Sequence, residues 1–389
     1  MRTQVAVVGA GPAGLVLSQL LAAHGIESVV LEHRSRAYVE ARVRAGVLEQ
    51  ASVDLLREMR VGQRMDREGL VHHGIELRFE GQAHRVPLTD LAGGRSIMVY
   101  GQQEVVKDLI AARLAAGGTL LFEAQATTFL KTNSEHPAVR FVHNGTEEEL
   151  EADFIAGCDG FHGVSRGAIE RTLTVYDKQY PYAWLGILAA VAPSNEELIY
   201  VRHERGFALH SMRSPSVTRL YLQVAPDENV AEWSDDRIWS ELQARLQTNA
   251  GFVLDSGPVL EKGITTMRSY VVEPMHRGRL FLVGDAAHIV PPTGAKGMNL
   301  AIADARVLAD GLTAFYASGS SDKLDAYSAT CLRRVWRAEH FSWWMTTMLH
   351  RHPDDPFMDR LGISNLRYIV SSEAAARSLA ENYVGLASI

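Results

Sequence analysis

Cysteine is scarce in this sequence, with only Cys158 and Cys331 among its 389 residues. Two cysteines are too few for a disulfide framework or a cysteine metal cluster, so we expect a reducing, cytoplasmic setting and no bound metal. Positive charge is also limited, since 39 Lys and Arg residues stand against 46 Asp and Glu residues. The net charge of −7 argues against nucleic acid or an anionic membrane surface as the partner.

Long apolar runs are missing as well. No stretch approaches the roughly 18 apolar residues of a membrane span, and residues 1–4 lead into a short strand without a signal-peptide pattern. No internal repeat or low-complexity segment is present. A length of 389 residues with 47% hydrophobic content instead predicts a globular protein with two closely packed domains.

The amino-terminal segment has the pattern of a βαβ unit. A β-branched strand at 4–8 precedes a Gly-Ala-Gly-Pro-Ala-Gly motif with glycines at Gly9, Gly11 and Gly14, and an apolar helical run and a second strand ending at Glu32 follow. The glycines permit a tight turn and close approach of the backbone to a pyrophosphate, while Glu32 is placed to hold ribose hydroxyls. The segment therefore predicts a bound dinucleotide.

Two further stretches combine a strand end with turn residues. One strand runs into Gly157-Cys158-Asp159-Gly160, and an apolar strand at 279–283 runs into Gly284-Asp285, followed by Pro291-Pro292, Gly294 and an alanine-rich helical pattern. Taken alone, the second stretch fits either an ordinary βα connection or a helix start that binds an anionic or electron-rich group.

The middle of the chain changes in texture. Residues 181–271 contain short strands of mixed patterning, interrupted by one helical segment at 235–246, and the chain after the Gly284 stretch is mainly helical. This order predicts a mostly antiparallel sheet inserted between two parts of the dinucleotide-binding domain.

The three motifs, in this order, resemble those of the single-component flavoprotein aromatic hydroxylases. The resemblance covers essentially the whole chain and includes segments similar to members that act on 4-hydroxybenzoate, at 42–50, 157–163, 205–209, 284–297, 341–345 and 381–386. It implies an α/β fold: a Rossmann-like FAD-binding domain with an inserted, mostly antiparallel β-sheet substrate domain and a C-terminal helical region. The corresponding segments are 1–178 and 268–348 for the FAD-binding domain, 179–267 for the substrate domain, and 349–389 for the helical region and its homodimer interface.

The resemblance also implies the reaction. FAD would be the cofactor, and 4-hydroxybenzoate, O2 and NAD(P)H would give 3,4-dihydroxybenzoate. The carboxylate would bind Arg213, Ser211 and Tyr221. The phenol would contact Tyr200 and the Pro292 carbonyl, with proton transfer through Tyr383 to His72, which would be the outlet to solvent. From the residues alone, Ser211 and Arg213 share one strand face, as do Arg219 and Tyr221, but a polar surface strand would show the same pattern.

Cofactor and reductant contacts follow from the same resemblance. The FAD contacts are glycines, an acid and polar residues around the loops and the helix start: Gly9, Gly11, Gly14, Glu32, Arg42, Arg44, Gln102, Asp159, Arg219, Asp285, Thr293, Gly297, Met298 and Asn299. The NAD(P)H contacts are mainly basic and aromatic residues: His33, Arg34, Tyr38, Arg44, His162 and Arg268. Better-known members carry Arg-Gln where this chain has His33-Arg34. Arg34 or Arg36 could meet a 2′-phosphate, which favours NADPH, but the rearranged charge leaves NADH open as a second reductant.

Two alternative functions remain open at this point. The chain could hydroxylate a related aromatic, such as an aminobenzoate or 3-hydroxybenzoate, or it could be a flavin-bound aromatic-acid sensor without turnover. A plain NAD-dependent dehydrogenase would leave the Asp159 and Asp285 motifs unexplained. His73 and His288 are expected to be structural or surface histidines.

Overall fold

The structure is a computed structural model that describes residues 1–44 and 46–385. Ala45, in the segment 42–50, and residues 386–389, in the predicted region 349–389, lie outside the described residues. The strands are β1 Arg2–Val8, β2 Ser28–Glu32, β3 Val47–Glu49, β4 Leu70–His72, β5 Ile75–Phe79, β6 Gln82–Val86, β7 Ile97–Val99, β8 Thr119–Phe122, β9 Ala124–Leu130, β10 Ala138–His143, β11 Thr146–Gly157, β12 Thr174–Ala189, β13 Leu198–His203, β14 Gly206–Ser214, β15 Val217–Val224, β16 Val259–Glu273, β17 His276–Arg277, β18 Leu280–Leu282 and β19 His288–Ile289. The helices are α1 Pro12–Ala23, α2 Arg36–Ala41, α3 Gln50–Glu58, α4 Gln63–Glu68, α5 Leu88–Leu91, α6 Gln102–Ala115, α7 Asp235–Leu246, α8 Gly297–Ser318, α9 Asp322–Asp325, α10 Tyr327–Leu349, α11 Pro356–Ser371 and α12 Glu373–Val384.

The first sheet confirms the Rossmann-like prediction. Its strand order is β17-β18-β11-β1-β2-β8, with β10 and β9 continuing antiparallel from β11. Strands β18, β11, β1, β2 and β8 run parallel to one another. The apolar residues of β1 and β2 are buried, as a parallel sheet covered by helices on its faces requires.

The strand order brings the sequence motifs together. The glycine motif follows β1, the Asp159 motif follows β11, the Gly284 motif follows β18, and Glu32 ends β2. Because these four strands are parallel neighbours, all four features lie at the same carboxyl edge of the sheet, where doubly wound α/β proteins bind their ligands.

The second sheet is the predicted, mostly antiparallel sheet. Its order is β19-β16-β12-β15-β14-β13-β5-β6, and its one parallel pair among the described residues joins β13 to β5. Strands β5 and β6 come from the first part of the chain, which the sequence pattern does not predict. Strands β12 and β16 also run through the proposed boundaries at 178/179 and 267/268, so the sheet is continuous there.

Both faces of the second sheet are buried. Tyr200 on β13 belongs to a core formed with α10, α11 and α12, whereas its neighbours Ile199 and Val201 belong to a separate core formed with α7. This alternation follows from the two-residue period of a strand. It directs the polar residues that share the face of Tyr200 towards the C-terminal helices.

The C-terminal helical region contains one helix that the sequence pattern does not predict. Helix α11 begins at Pro356, and the Asp355 side chain accepts the backbone N–H of Met358 at its start. An aspartate cap followed by proline is the local signal for such a start. Among the described residues, no helix is both long and apolar enough to cross a membrane.

A buried histidine gives the fold a pH dependence. His210 accepts the backbone N–H of Ser194 at 3.2 Å, and burial together with the charge of Arg78 lowers its pKa to about 4. An unfolded histidine binds its proton near pH about 6.5, so the stability that neutral His210 contributes above that pH is lost as the pH falls from there towards 4.

We therefore expect His210→Gln to reduce acid destabilisation. Between pH 7 and 5, the free energy of unfolding should fall by about 2 kcal/mol less in the variant than in the wild type. Urea unfolding at the two pH values measures this difference, with the exposed His136→Gln as the control. An equal fall in wild type and variant would contradict the prediction.

Candidate active site

The glycine motif forms a cradle with one open side. Gly9 has φ +108°, and a Cβ there would lie 2.3 Å from the Cys158 carbonyl oxygen, while a Cβ on Gly14 would lie 2.0 Å from the Gly9 oxygen. A Cβ on Gly11 would meet no atom of the described residues within 4 Å. Gly9 and Gly14 therefore allow close packing of strand and helix, and Gly11 leaves room for a pyrophosphate at the start of α1. The motif fits the FAD that the sequence predicts.

Glu32 lies beside this cradle. Its carboxylate accepts the backbone N–H groups of Ala10 and Arg34, each at 2.8 Å, and lies 3.0 Å from His33 Nδ1. It thereby fixes the glycine loop at the end of β2, the position from which such an acid holds a ribose.

The Asp159 motif is organised internally. Both Asp159 carboxylate oxygens accept hydrogen bonds from Ser165, one from the backbone N–H at 2.9 Å and one from the hydroxyl. Arg166, a residue that sequence reasoning missed, donates to the carbonyls of Phe161 at 2.7 Å and Ala286 at 3.1 Å. Arg166 thus joins the Asp159 loop to the Gly284 loop, and its place soon after the Asp-Gly pair was the only signal.

The Gly284 turn is held from behind by a buried ion pair. Asp304 on α8 accepts the Gly284 N–H at 3.0 Å and lies 2.6 Å from His288 Nε2. Burial alone would lower the pKa of His288, but the Asp304 carboxylate outweighs it and raises the pKa. His288 is therefore structural, as expected, and Asp304 is a supporting residue that sequence reasoning missed.

Asp285 lies between Gly284, which is bonded to Asp304, and Ala286, which is bonded to Arg166. Burial raises the pKa of its carboxyl, and the positive charges of His288, Arg44 and Arg42 act in the opposite direction. The structure therefore brings Arg42 and Arg44 close to Asp285. Gln102 is the first residue of α6, and Tyr100, two residues earlier, donates its N–H to the Gly46 carbonyl at 2.8 Å, so the same loop also adjoins α6.

The loop from Pro292 to the start of α8 is braced by the C-terminal helices. The Pro292 carbonyl, the predicted substrate contact, accepts the Ala295 N–H at 3.0 Å, and its second lone pair is not used by that bond. Thr293 accepts the Thr346 hydroxyl of α10 at 2.8 Å. Helix α8 then begins at Gly297, so Met298 is in its first turn, where backbone N–H groups lack helical partners.

The side chain of Asn299 is hydrogen-bonded to other groups of the protein. Its amide oxygen accepts from the Glu49 N–H at 2.9 Å and the Ser52 hydroxyl at 2.8 Å, and its amide nitrogen donates to the Val47 and Ala295 carbonyls. Contact with a flavin would therefore come from the backbone at this position, as the predicted helix-start contact allows.

The residues predicted to bind the carboxylate, Ser211, Arg213 and Tyr221, lie on β14 and β15. We call them the carboxylate group. The register pairs Ser211 with Arg219 and shifts between Met212 and Ser214, which places Arg213 in a β-bulge. Bulges of this kind re-aim a side chain. Arg213 Nη1 donates to the Ser211 hydroxyl at 3.2 Å, and Nη2 lies 3.5 Å from the Tyr221 hydroxyl.

This group has donors left over for an anion. Among the described residues, Arg213 Nε and Arg219 Nε and Nη1 are buried without a hydrogen-bond partner. Burial would raise the pKa of Tyr221, but the nearby charges of Arg213 and Arg219 outweigh it and lower the pKa. The Arg213 guanidinium with its free Nε is suited to a carboxylate, and Arg219, whose Nη1 also lies 4.0 Å from Glu261, adds positive charge beside it.

Tyr200 and Tyr383 form the centre of the site. Their hydroxyl oxygens are 2.5 Å apart, both rings are buried, and burial raises the pKa of each phenol. Buried Lys296 pairs with Glu49 and donates to the Tyr383 carbonyl at 3.1 Å at the end of α12. Lys296 therefore fixes Tyr383 as well as adding charge near the loop.

His72 corrects one part of the predicted proton path. Its side chain is 1% exposed, so it does not itself open to solvent. Burial lowers its pKa to about 4, and both ring nitrogens lack a partner among the described residues. Any outlet through His72 therefore needs a water on at least one side.

The predicted NAD(P)H residues fall into two groups. Arg34 and Arg42 lie over the exposed Tyr38 ring, with guanidinium carbons 5.1 and 5.8 Å from its centroid. Arg268 instead forms a two-point ion pair with Asp177, and exposed His162 packs on Phe161. Within residues 1–44 and 46–385, no hydrogen bond or ion pair joins the two groups.

Comparison with known proteins agrees with the cradle and the two sheets. The sequence profile of a family described as FAD binding domain matches residues 2–342. The chain is 50% identical to p-hydroxybenzoate hydroxylase of Acinetobacter baylyi over 99% of this chain and 96% of that protein. It is 30% identical to rifampicin monooxygenase of Streptomyces venezuelae over 77% of this chain and 62% of that protein. The crystal structure of p-nitrophenol 4-monooxygenase from Pseudomonas putida has the same fold, with a TM-score of 0.86, 20% identity and 99% of each chain covered.

Proposed function

We propose, starting from the fact that this chain belongs to the FAD-dependent aromatic hydroxylases, that it converts 4-hydroxybenzoate into 3,4-dihydroxybenzoate. The observation that carries this proposal is the distribution of polar groups on one buried sheet face. Two arginines with free donors lie at one end, and a tyrosine pair with hydroxyl oxygens 2.5 Å apart lies at the other. An aromatic ring with a carboxylate and a para hydroxyl presents complementary groups.

The carboxyl edge of the first sheet would hold FAD. Gly11 and the start of α1 would bind the pyrophosphate, Glu32 the ribose, Asp285 the ribityl chain, and the backbone at 297–299 the ring. When bound, FAD would take a hydride from NAD(P)H and supply one atom of O2 to the phenol, while the other oxygen atom leaves as water.

The sheet face would orient the aromatic acid. Arg213 would bind the carboxylate with its unpartnered Nε and an Nη group, assisted by Ser211 and Tyr221. The phenolic oxygen would then lie against the Tyr200 hydroxyl and the Pro292 carbonyl. Holding both ends of the ring fixes which carbon faces the flavin, and this is how positioning contributes to the rate.

Deprotonation of the phenol would activate its ortho carbon. Tyr200 would accept the phenol proton from the substrate while its own hydroxyl proton moves to Tyr383, whose hydroxyl is 2.5 Å away. Burial raises the pKa of both tyrosines, which disfavours an isolated tyrosinate and therefore favours concerted proton transfer along the pair. His72, through water, would take the proton onwards.

Substrate-dependent turnover tests the proposal. Purified protein loaded with FAD should oxidise NADPH faster with 4-hydroxybenzoate than without it and should form 3,4-dihydroxybenzoate. A panel with 3-hydroxybenzoate and aminobenzoates distinguishes a related hydroxylase. A sensor would bind the acid without O2 uptake, and no stimulation with either NADPH or NADH would refute the proposal.

Removing the Tyr200 hydroxyl should uncouple the reaction. In Tyr200→Phe we expect substrate still to stimulate NADPH oxidation, while product formation falls about 100-fold because the proton acceptor is lost. Product per NADPH consumed is the measurement. Tyr180→Phe is the control, because Tyr180 is also buried but its hydroxyl bonds Ser269. Full product yield from Tyr200→Phe would remove Tyr200 from the proton path.

The reductant and the domain division are further parts of this proposal. Arg34 stacks on Tyr38 at the exposed end of β2 and offers a cation to a 2′-phosphate, which supports NADPH as the reductant with NADH as a second. The two sheets support a division into an FAD-binding domain (1–178 and 268–348), a substrate domain (179–267) and a helical region (349–389), but the second sheet extends beyond 179–267 through β5, β6 and the ends of β12 and β16.

A second copy of the chain is the proposed partner for the helical region. Phe357, Leu361 and Tyr368 of α11 are 71%, 41% and 59% exposed, and their spacing of four and seven residues puts them on one helix face. Exposed apolar stripes of this kind favour association.

We expect Phe357→Asp with Leu361→Asp to convert a dimer into a monomer in light scattering. Val253→Asp is the matched control, because Val253 is an 80% exposed apolar residue outside the helical region. A wild-type monomer, or a variant that remains dimeric, would exclude this stripe as the interface.

A further inference from the structure

His350 is a fully buried histidine that follows the last residue of α10. Its Nε2 lies 2.7 Å from Trp184 Nε1, and its Nδ1 lies 2.8 Å from the Thr346 carbonyl. An indole N–H can only donate and a carbonyl can only accept, so Nε2 must be the acceptor and Nδ1 must carry the hydrogen. The imidazole is therefore neutral, in one tautomer, with both nitrogens bonded.

The imidazole is also held on both faces. Its ring stacks on Tyr182 and Phe207, each with centroids 4.5 Å apart. Trp184, its hydrogen-bond donor, stacks on the same Phe207 at 5.1 Å and packs against Tyr221 at 4.7 Å. Tyr221 belongs to the proposed carboxylate group, so the orientation of the indole bears directly on that group.

The hydrogen bonds of His350 also lead to the turn Pro292–Gly294. Thr346, whose carbonyl accepts from His350, donates its own hydroxyl to Thr293 at 2.8 Å. Thr293 lies in the turn Pro292–Gly294, whose Pro292 carbonyl is the proposed phenol contact. One buried turn of α10 is therefore bonded to Trp184 through His350 and to the turn Pro292–Gly294 through Thr346.

We propose that His350 is a positioning residue for substrate. By bonding Trp184 to the last turn of α10, it holds the carboxylate-binding residue Tyr221 of β15 at a fixed distance from the turn Pro292–Gly294. The inference rests on the proposed function, because it assigns these two sides to the two ends of one aromatic acid. The benzene ring fixes the distance between the carboxylate and the hydroxyl of such an acid, so the residues that bind these two groups need a fixed separation as well.

Three variants separate the hydrogen bond from the packing. Trp184→Phe removes the N–H donor together with part of the buried indole, His350→Phe keeps the stack and removes both bonds, and His350→Gln can still accept from Trp184 and donate to Thr346. His352→Gln is the control, because the His352 ring also packs edge-on against Tyr182, while its Nε2 lies 3.0 Å from the Thr347 carbonyl.

The test measures the dissociation constant of 4-hydroxybenzoate by perturbation of the flavin spectrum, in preparations matched for FAD content and melting temperature. Trp184→Phe and His350→Phe are each expected to raise it about tenfold, as expected when one buried bond is broken and a polar group is stranded. The double variant should be little worse than either single one, because both interrupt the same bond. His350→Gln should recover most of the affinity, and His352→Gln should bind like the wild type.

The outcomes are distinguishable. A wild-type protein that does not bind 4-hydroxybenzoate overturns the proposed function and this inference with it. A wild type that binds, with Trp184→Phe and His350→Phe within twofold of it, overturns the positioning role alone. Equal losses in His350→Gln and His350→Phe would also overturn it, because the restored bonds would then have no effect. If His350→Phe does not fold, Trp184→Phe decides.

Discussion

Replacing Arg213 by glutamine is expected to weaken 4-hydroxybenzoate binding about 100-fold or more. The guanidinium lies in a β-bulge, donates to the Ser211 hydroxyl at 3.2 Å and has a buried Nε with no partner among the described residues. A carboxylate placed there would replace the missing partner and form a two-point contact. Without the guanidinium, the carboxylate would be buried against neutral groups, and such truncations of a buried charge pair cost about 2–5 kcal/mol.

The effect should depend on shape as well as charge. Arg213→Lys keeps one positive charge but loses the planar fork, so its affinity should lie between those of the wild type and the glutamine variant. Arg205→Gln is the control, because Arg205 is an exposed arginine that pairs with Glu241 at 2.9 Å. Flavin spectral titration gives the dissociation constants. An Arg213→Gln variant that binds within fivefold of the wild type would move the carboxylate site elsewhere.

Alanine at the three motif glycines should separate folding from cofactor binding. At Gly9 and Gly14 the added Cβ would overlap backbone oxygens at 2.3 and 2.0 Å, and Gly9 has a positive φ as well. Neither obstacle can move, so both variants should lose several kcal/mol of stability, on the order of 4, and yield little folded protein. Expression, circular dichroism and melting temperature measure this loss.

Gly11→Ala should behave differently. The backbone there has φ −77°, which any residue adopts, and no atom in residues 1–44 and 46–385 would lie within 4 Å of the new Cβ. The variant should therefore fold, yet the methyl group would occupy the space left for the pyrophosphate, so FAD affinity should fall by about 10- to 100-fold. Exposed Gly167 also has no atom within 4 Å of a built Cβ, and Gly167→Ala should keep both fold and FAD. Full FAD content in Gly11→Ala would contradict the proposal that the pyrophosphate binds at Gly11.

Local features of the fold could be predicted because their causes are local. The glycine motif needs only its own strand and helix, and the placement of Arg219 and Tyr221 on one face of β15 needs only the period of a strand. The resemblance supplied roles for Arg213, Tyr200 and Tyr383, which their spacing alone does not indicate. Those roles are still proposals, whereas the α/β fold and the inserted antiparallel sheet are confirmed by the structure.

Other features depended on contacts distant in sequence. Tyr200 and Tyr383 are 183 residues apart, and only the packing of α12 on the second sheet brings their hydroxyls together. The bulge at Arg213, the burial of His72 and the bracing of the Gly284 turn by Asp304 likewise have no local signal. Strands β5 and β6 joined the second sheet because β13 has an edge that pairs with them, which a pattern of alternating residues does not reveal.

The sequence by itself determined that this protein has a dinucleotide cradle, a strand carrying Arg219 and Tyr221 on one face, and a turn from Gly284 that precedes a helix. Backbone preference and hydrophobic period act over a few residues and are written into the chain directly. Only the tertiary structure decided that the cradle, the Asp159 loop and the Gly284 turn share one sheet edge, because that depends on the strand order β18-β11-β1-β2. It also decided that Tyr200 and Tyr383 meet, because burial of the second sheet against α10 and α12 selects which face of β13 the C-terminal helices cover.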